Sequence, residues 1–300
     1  MKFTIVSFFS MKKNASRDKQ YHIHVLHTNI KPETQERMLK LADECFTVTF
    51  DNVSDYLNDL CEKLPLRDYY SNTTYYRMFI ADMYPELDKA IYIDSDTVVT
   101  GDISELYGYD ITEYDVAACH EQAMVQADVY GTYVEKCLGI DRNAYFNAGI
   151  LVMNLKKLRE IDFENKFIEL LSNIKFNVAQ DQDYLNVICK GHVTFIDETW
   201  NQMPLPVEIE RPAKPKLIHY NLSFKPWRLD DVLYEEVFWN YARKTSFIYD
   251  ILETKRSYTK EMQENTERQT IKLMQLTKEQ ADDTEENARI ADIIKNILGE

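Results

Sequence analysis

Residues 90–99 read AIYIDSDTVV. An apolar run that stops at Asp94, Ser95 and Asp96 predicts a buried strand running into a polar turn. In α/β sheets, ligands bind beyond the carboxyl ends of the strands. Two carboxylates on either side of one residue at such an end can share a divalent cation, and hard oxygen donors suit Mg²⁺ or Mn²⁺. The same residues also suit a plain Asx turn, so the D-x-D spacing alone leaves both readings open.

Working outward, strands alternate with helices. Residues 2–13 carry a broad apolar face (Phe3, Ile5, Val6, Phe8, Phe9) and predict a helix lying on a sheet. HIHVLHTNI (22–30) is β-branched and alternating, a strand, and Pro32 opens a helix expected to run to about Cys45. FTVTF (46–50) predicts a strand, 53–63 a short helix, and SNTTYYRMFIADMYP a helix from Asn72 or Thr73 that stops before Pro85. Further strands are expected at 116–121, within FNAGILVMNL, at HVTFID and at 216–220, with helices over KKLREIDFENKFIELLSN and DQDYLNVICKG. The alternation predicts an α/β fold with a mixed, mostly parallel sheet flanked by helices. From residue 253 the composition turns charged and helical. The expected division is therefore a domain over 1–252 and a helical tail over 253–300.

Three more stretches carry candidate chemistry. In LIHYNLSFKPW (217–227) a strand ends at His219, with Lys225 and a rigid Pro226-Trp227 pair beyond it. A histidine in an apolar strand is often a core residue, but imidazole beside two carboxylates suits Mn²⁺, and Lys225 suits phosphate. In YFNAGILVMNL (145–155), Asn147-Ala148-Gly149 lets the backbone approach a ligand while Asn147 offers a donor and an acceptor, or simply forms a bulge. In AQDQDYLN (179–186), Asp181, Gln182 and Asp183 cluster at a helix start, where capping is the plain alternative.

The bulk numbers narrow the class. The chain has 300 residues, 45% of them hydrophobic, and a formal charge of −15. That charge is the wrong sign for a nucleic-acid binder and for broad adhesion to anionic lipid. No apolar stretch reaches the length of a membrane span, so any membrane contact would be peripheral. The apolar N-terminus lacks a small-residue cleavage site and reads as a helix rather than a leader. Five cysteines, without a CxxC pair, suit buried thiols in a reducing compartment.

Together, TTYYRMFIAD, YIDSDTVVTGDI, FNAGILVMNL, QDQDYLN and HYNLSFKPW resemble family 8 of the glycosyltransferases, which has the GT-A, Rossmann-like fold. The resemblance runs from about Lys2 to Ile251. It implies that Asp94, Asp96 and His219 hold Mn²⁺, with Mg²⁺ as the alternative. It implies that Lys225 contacts the donor's β-phosphate, and that Arg77, Asn147, Asp181 and Gln182 face the donor sugar, with Ser95 and Ala148 counted in the donor site. Asp181, Gln182 and Asp183 are the catalytic candidates: Gln182 as electrostatic support, Asp183 as reserve nucleophile. The implied reaction is retaining transfer of a hexose, galactose or glucose, from a UDP-sugar to a glycan or lipid-linked saccharide. By analogy this is cell-surface polysaccharide synthesis on the cytoplasmic side of the inner membrane. The C-terminal helices offer a surface for homo-oligomers.

The sequence departs from the family twice. The opening strand that holds the nucleoside has no counterpart, because Met1 falls where the first helix starts. Leu222 stands where the family often has glycine. Two other readings remain: an inactive or partner-dependent homologue acting through its 253–300 helices, and a different metal-dependent nucleotide enzyme. The second is disfavoured by the lack of a Gly-rich phosphate loop near the start.

Overall fold

The structure is a computed structural model, and it describes residues 2–54, 56, 73–122, 127–205 and 211–299. The helix expected over 53–63 lies largely outside the described residues. The elements begin with α1 (Lys2–Asn14), β1 (Tyr21–His27), α2 (Pro32–Leu39) and β2 (Phe46–Asn52). A 3₁₀ helix (Thr73–Phe79) leads into α3 (Ile80–Met83), β3 (Lys89–Ile93), β4 (Thr97–Val99), α4 (Ile103–Tyr107) and β5 (Val116–His120). Then come α5 (Asp128–Cys137), β6 (Phe146–Asn154), α6 (Leu155–Glu160), α7 (Phe163–Asn173), α8 (Asp181–Ile188), β7 (Val193–Phe195) and β8 (Leu217–His219). The described chain closes with α9 (Glu235–Ala242), α10 (Ile248–Ser257), α11 (Lys260–Asp282) and α12 (Thr284–Leu298).

These form two compact units. The first holds Met1–Tyr76, Ile93–Gly108 and Glu198–Thr259. In it β1 pairs with β2 in parallel and β4 pairs with β8 antiparallel, as two separate two-stranded sheets. Helix α1 buries Ile5, Val6, Phe8 and Met11, each fully or nearly so, which contributes roughly 2 kcal/mol per side chain. Ser7 and Ser10 are buried too, and together with Asn14 they serve β4. Ser10 Oγ accepts from the Val99 N–H at 2.9 Å, and Asn14 Nδ2 donates to the Val99 carbonyl at 3.0 Å. Ser7 and Thr97 share a hydroxyl hydrogen bond of 2.6 Å. Side chains of a helix thus satisfy backbone groups that another strand would otherwise take. Among the described residues β1 is bonded to β2 alone.

The second unit holds Arg77–Tyr92, Tyr109–Asp197 and Lys260–Glu300. Its sheet has the order β3-β6-β5-β7, with β5 antiparallel to β6 and parallel to β7. Strand β6 is buried along almost its whole length, which is why it reads as a continuous apolar run rather than an alternating one. Phe167 meets Phe79 and Tyr184 edge-on at 5.6 and 5.4 Å. The last two helices belong to this unit: α11 packs on α5 and α12 on α7, burying Thr277, Ala281, Ile290 and Ile294. No helix among the described residues is long and apolar enough to cross a membrane.

Several expected boundaries shift. Helix α2 ends at Leu39, not near Cys45. Asp43 turns the chain instead, accepting from the Cys45 and Phe46 N–H groups at 3.0 and 3.1 Å, a local bond that competes with helix. The helix expected from Asn72 or Thr73 is mostly 3₁₀ before it becomes α-helical at Ile80. The long helix after β6 breaks into α6 and α7 at Asp162, whose φ is 58°. Residues 252 and 253 lie within α10 (Ile248–Ser257). The break between the units lies between Thr259 and Lys260.

Candidate active site

In the first unit, the turn after Ile93 carries Asp94, Ser95 and Asp96 into β4. The antiparallel register sets Thr97 opposite His219, so the histidine that ends β8 arrives beside Asp96. Tyr220 N–H donates to the Asp96 carbonyl at 2.9 Å and locks that register. His219 is 1% exposed. Its Nδ1 lies 3.1 Å from Asn201 Oδ1, and an amide oxygen can only accept, so Nδ1 carries the proton. That leaves the Nε2 lone pair facing Asp96 Oδ1 at 3.4 Å and Asp94 Oδ2 at 3.6 Å, with no hydrogen bond of its own. One ligand atom from each of the three residues lies within 4.8 Å of the others. An orphaned, buried imidazole nitrogen facing two carboxylates, with its tautomer fixed from behind, is a donor set that fits a divalent cation. Ser95, between the two aspartates, is exposed.

Lys225 completes this cluster. Its ammonium pairs with Asp96 Oδ2 and donates to the Tyr220 carbonyl at 2.7 Å. Burial alone would raise the Asp96 carboxyl. When Nε2 of His219 is protonated as well, its ring and the Lys225 ammonium outweigh it and hold the group well below the usual carboxylate range. The rigid pair that follows is anchored by stacking: Trp227 lies on Phe3 at 4.1 Å and meets Phe238 at 4.8 Å. Leu222 has φ 53°, a left-handed conformation that glycine adopts without strain. This is the physical content of the glycine expected there.

In the second unit, Arg77 from the 3₁₀ helix pairs through Nε with Asp181 Oδ2 at 2.9 Å, with both side chains less than a tenth exposed. Its Nη1 donates to the Ala148 carbonyl, and its guanidinium lies 4.4 Å over the ring of Tyr92. Gln182 Oε1 accepts from the Ala148 N–H at 2.9 Å and lies 3.3 Å from Asn147 Nδ2. Asn147 Oδ1 accepts from the Gly149 N–H at 2.9 Å. The structure therefore brings Arg77, Asn147, Ala148, Asp181 and Gln182 into one bonded set.

Asp183 stands apart from that set in role. It is fully buried. Tyr145 donates to it at 2.7 Å, Tyr133 at 3.0 Å and the Ala179 N–H at 2.9 Å. Burial pushes its carboxyl up to about 6, against the pull of these three donors.

Two participants were not legible in the sequence. Asn201 orients His219 from outside any strand, and no local pattern marks it. Glu121 is 4% exposed and accepts from Asn147 Nδ2, with Gln182 Nε2 at 3.4 Å. A signal for Glu121 did exist: it follows the buried strand β5 just as Asp94 follows β3.

A model of the family described as glycosyl transferase family 8 matches residues 1–231. A Haemophilus influenzae relative, whose name places it among the glycosyltransferases, is 36% identical over 205 residues, 67% of this chain and 60% of its own length. The lipopolysaccharide 1,3-galactosyltransferase of Salmonella typhimurium is 27% identical over 227 residues, 71% of this chain and 66% of that protein. Among solved structures, the apo WbbM bifunctional glycosyltransferase superposes with a TM-score of 0.71 at 27% identity, covering 85% of this chain and 50% of that one.

Proposed function

The chain belongs to glycosyl transferase family 8, and from that membership we propose that it is a metal-dependent, retaining hexosyltransferase using a UDP-sugar. The observation that carries the reading is the orphaned Nε2 of His219 between Asp94 and Asp96. Those three residues would hold Mn²⁺ or Mg²⁺. Bound there, the ion acts as a Lewis acid on the diphosphate leaving group. The similarity to a lipopolysaccharide galactosyltransferase supports galactose as the sugar and a glycan or lipid-linked saccharide as the acceptor.

The chain's own groups then divide the donor. Lys225 gives its ammonium to the β-phosphate and stabilises the charge that develops as the glycosidic bond breaks. Arg77 and Asp181 hold each other in fixed positions, so they meet sugar hydroxyls without reorganising. Asn147 and Gln182 add fixed amide groups. A carboxamide is a poor nucleophile, and that of Gln182 is already held by the Ala148 N–H, so Gln182 serves as electrostatic support for an oxocarbenium-like state. The acceptor hydroxyl attacks from the face the phosphate leaves. The anomeric carbon–phosphate oxygen bond breaks, a bond to the acceptor oxygen forms, and the acceptor's proton passes to the departing phosphate. Asp183, taken by three donors, fixes Tyr145 and Tyr133 rather than attacking. The catalytic domain is proposed to span 1–252, with 253–300 as a helical tail whose last two helices pack within the second unit.

Calorimetric titration of UDP with Mn²⁺, and again with EDTA, tests the reading. Binding that needs the metal and disappears in His219→Ala supports it. Equal binding in EDTA overturns it.

A further inference from the structure

We propose that Lys255, beyond the residues that the family model matches, is a positioning residue for Lys225; the inference rests on reading Lys225 as the phosphate contact. Lys225 opens a single helical turn, in which the Arg228 and Leu229 N–H groups return to its carbonyl at 2.8 and 3.0 Å. One turn is too short to hold itself, and its later carbonyls have no partner within it. Two devices fix it. The first is the Trp227 stack on Phe3 and Phe238.

The second is Lys255, which reaches over from α10. Its ammonium donates to the Pro226 carbonyl at 3.1 Å and the Leu229 carbonyl at 3.2 Å, and pairs with Asp230 Oδ1 at 2.6 Å. It also lies 5.4 Å from the ring of Trp239. Asp230 is 84% exposed, so that ion pair contributes little. The two carbonyls matter more, because they bind the ammonium at both ends of the turn. Helix α10 is itself held in place. Ile251 is fully buried, and Asp250 pairs with Arg37 at 3.1 Å while its carbonyl accepts from Lys2 at 3.2 Å. The side chain of Lys225 is 14% exposed and already committed to Asp96 and the Tyr220 carbonyl, so a small shift of its backbone misplaces its ammonium.

The test uses UDP with Mn²⁺ as probe, titrated into the wild type, Lys225→Ala, Lys255→Met, Lys255→Arg and the Lys225→Ala/Lys255→Met double variant. Ammonium nitrogen NMR of Lys225 in the nucleotide-free protein runs alongside. Methionine keeps the stem over Trp239 but removes the donors. Lys255→Met is expected to weaken UDP binding about tenfold and to displace the Lys225 resonance, with arginine restoring most of both. On the Lys225→Ala background the same change is expected to add nothing. Unchanged affinity with an unchanged Lys225 resonance overturns the proposal, as does an equal loss on the Lys225→Ala background. If Lys225→Ala binds UDP like the wild type while Lys255→Met still displaces the resonance, the positioning stands and the phosphate role of Lys225 falls.

Discussion

In the first unit the Asp96 carboxyl is held well below its usual range, and in the second unit the Asp183 carboxyl is pushed up to about 6. Both carboxyls would be raised by burial. Asp96 is met by His219, which favours the ionised form when Nε2 also carries a proton, and by the Lys225 ammonium, and together they outweigh burial. Asp183 is met by two phenols and one backbone N–H. Neutral donors offset the desolvation only in part, so its carboxyl sits at about 6. One region gathers charged side chains around Asp94, Asp96, His219 and Lys225. The other holds neutral hydrogen-bonding groups, and one internal ion pair, in fixed positions. Under the proposed function, chemistry that must move charge falls to the first, and recognition of hydroxyls to the second.

The largest effect that would break this contrast lies in the first unit. Asp96→Ala is expected to lower transfer by about a thousandfold or more, as loss of a group that stabilises leaving-group charge does, with the circular dichroism spectrum retained. Full activity in that variant would remove the charge-handling role from this cluster.

The next effect falls on stability. Arg77→Met removes the charged partner of the buried Asp181 carboxylate, expected to cost about 3–5 kcal/mol in urea denaturation. Adding Asp181→Leu is expected to recover part of that stability and none of the transfer. Recovery of both would make the pair purely structural.

The third sharpens the comparison through pH. Between about pH 4 and 6 native Asp183 keeps a proton that the unfolded chain has released, so folding stability falls as pH rises through this window. Above it the penalty is constant, about 3 kcal/mol at about 1.4 kcal/mol per pH unit. Asp183→Asn is expected to flatten that part of the stability–pH curve. A wild-type curve already flat there would show that the phenols hold Asp183 ionised.

The smallest is Leu222→Gly. Relief of a left-handed leucine is worth about 1–2 kcal/mol and the added chain entropy takes back roughly 0.5–1, so a net gain of about 0.5 kcal/mol is expected by thermal denaturation.

Much of this was legible because the strands deliver their chemistry at their ends. Asp94 and Asp96 follow an apolar run, His219 closes another, and Asn147 lies at the start of a third. Periodicity and strand-end logic find such residues without a fold. Glu121 obeys the same rule, closing an apolar run between His120 and Gln122. The 3₁₀ character of Thr73–Phe79 and the break at Asp162 were not legible, since composition does not separate 3₁₀ from α-helix or mark a left-handed aspartate. Nor did the tail's charged helices reveal that α11 and α12 would bury Thr277, Ala281, Ile290 and Ile294.

The sequence by itself determined which side chains carry charge and at which strand ends they stand, because the apolar period and the turn residues are local. Only the tertiary structure decided that they meet. His219 reaches Asp96 through the pairing of β8 with β4, Asn201 fixes its tautomer from a loop, and Lys255 closes the turn of Lys225 from a later helix. Register between distant strands and hydrogen bonds between distant loops depend on which surfaces bury one another, and no window of sequence contains both partners.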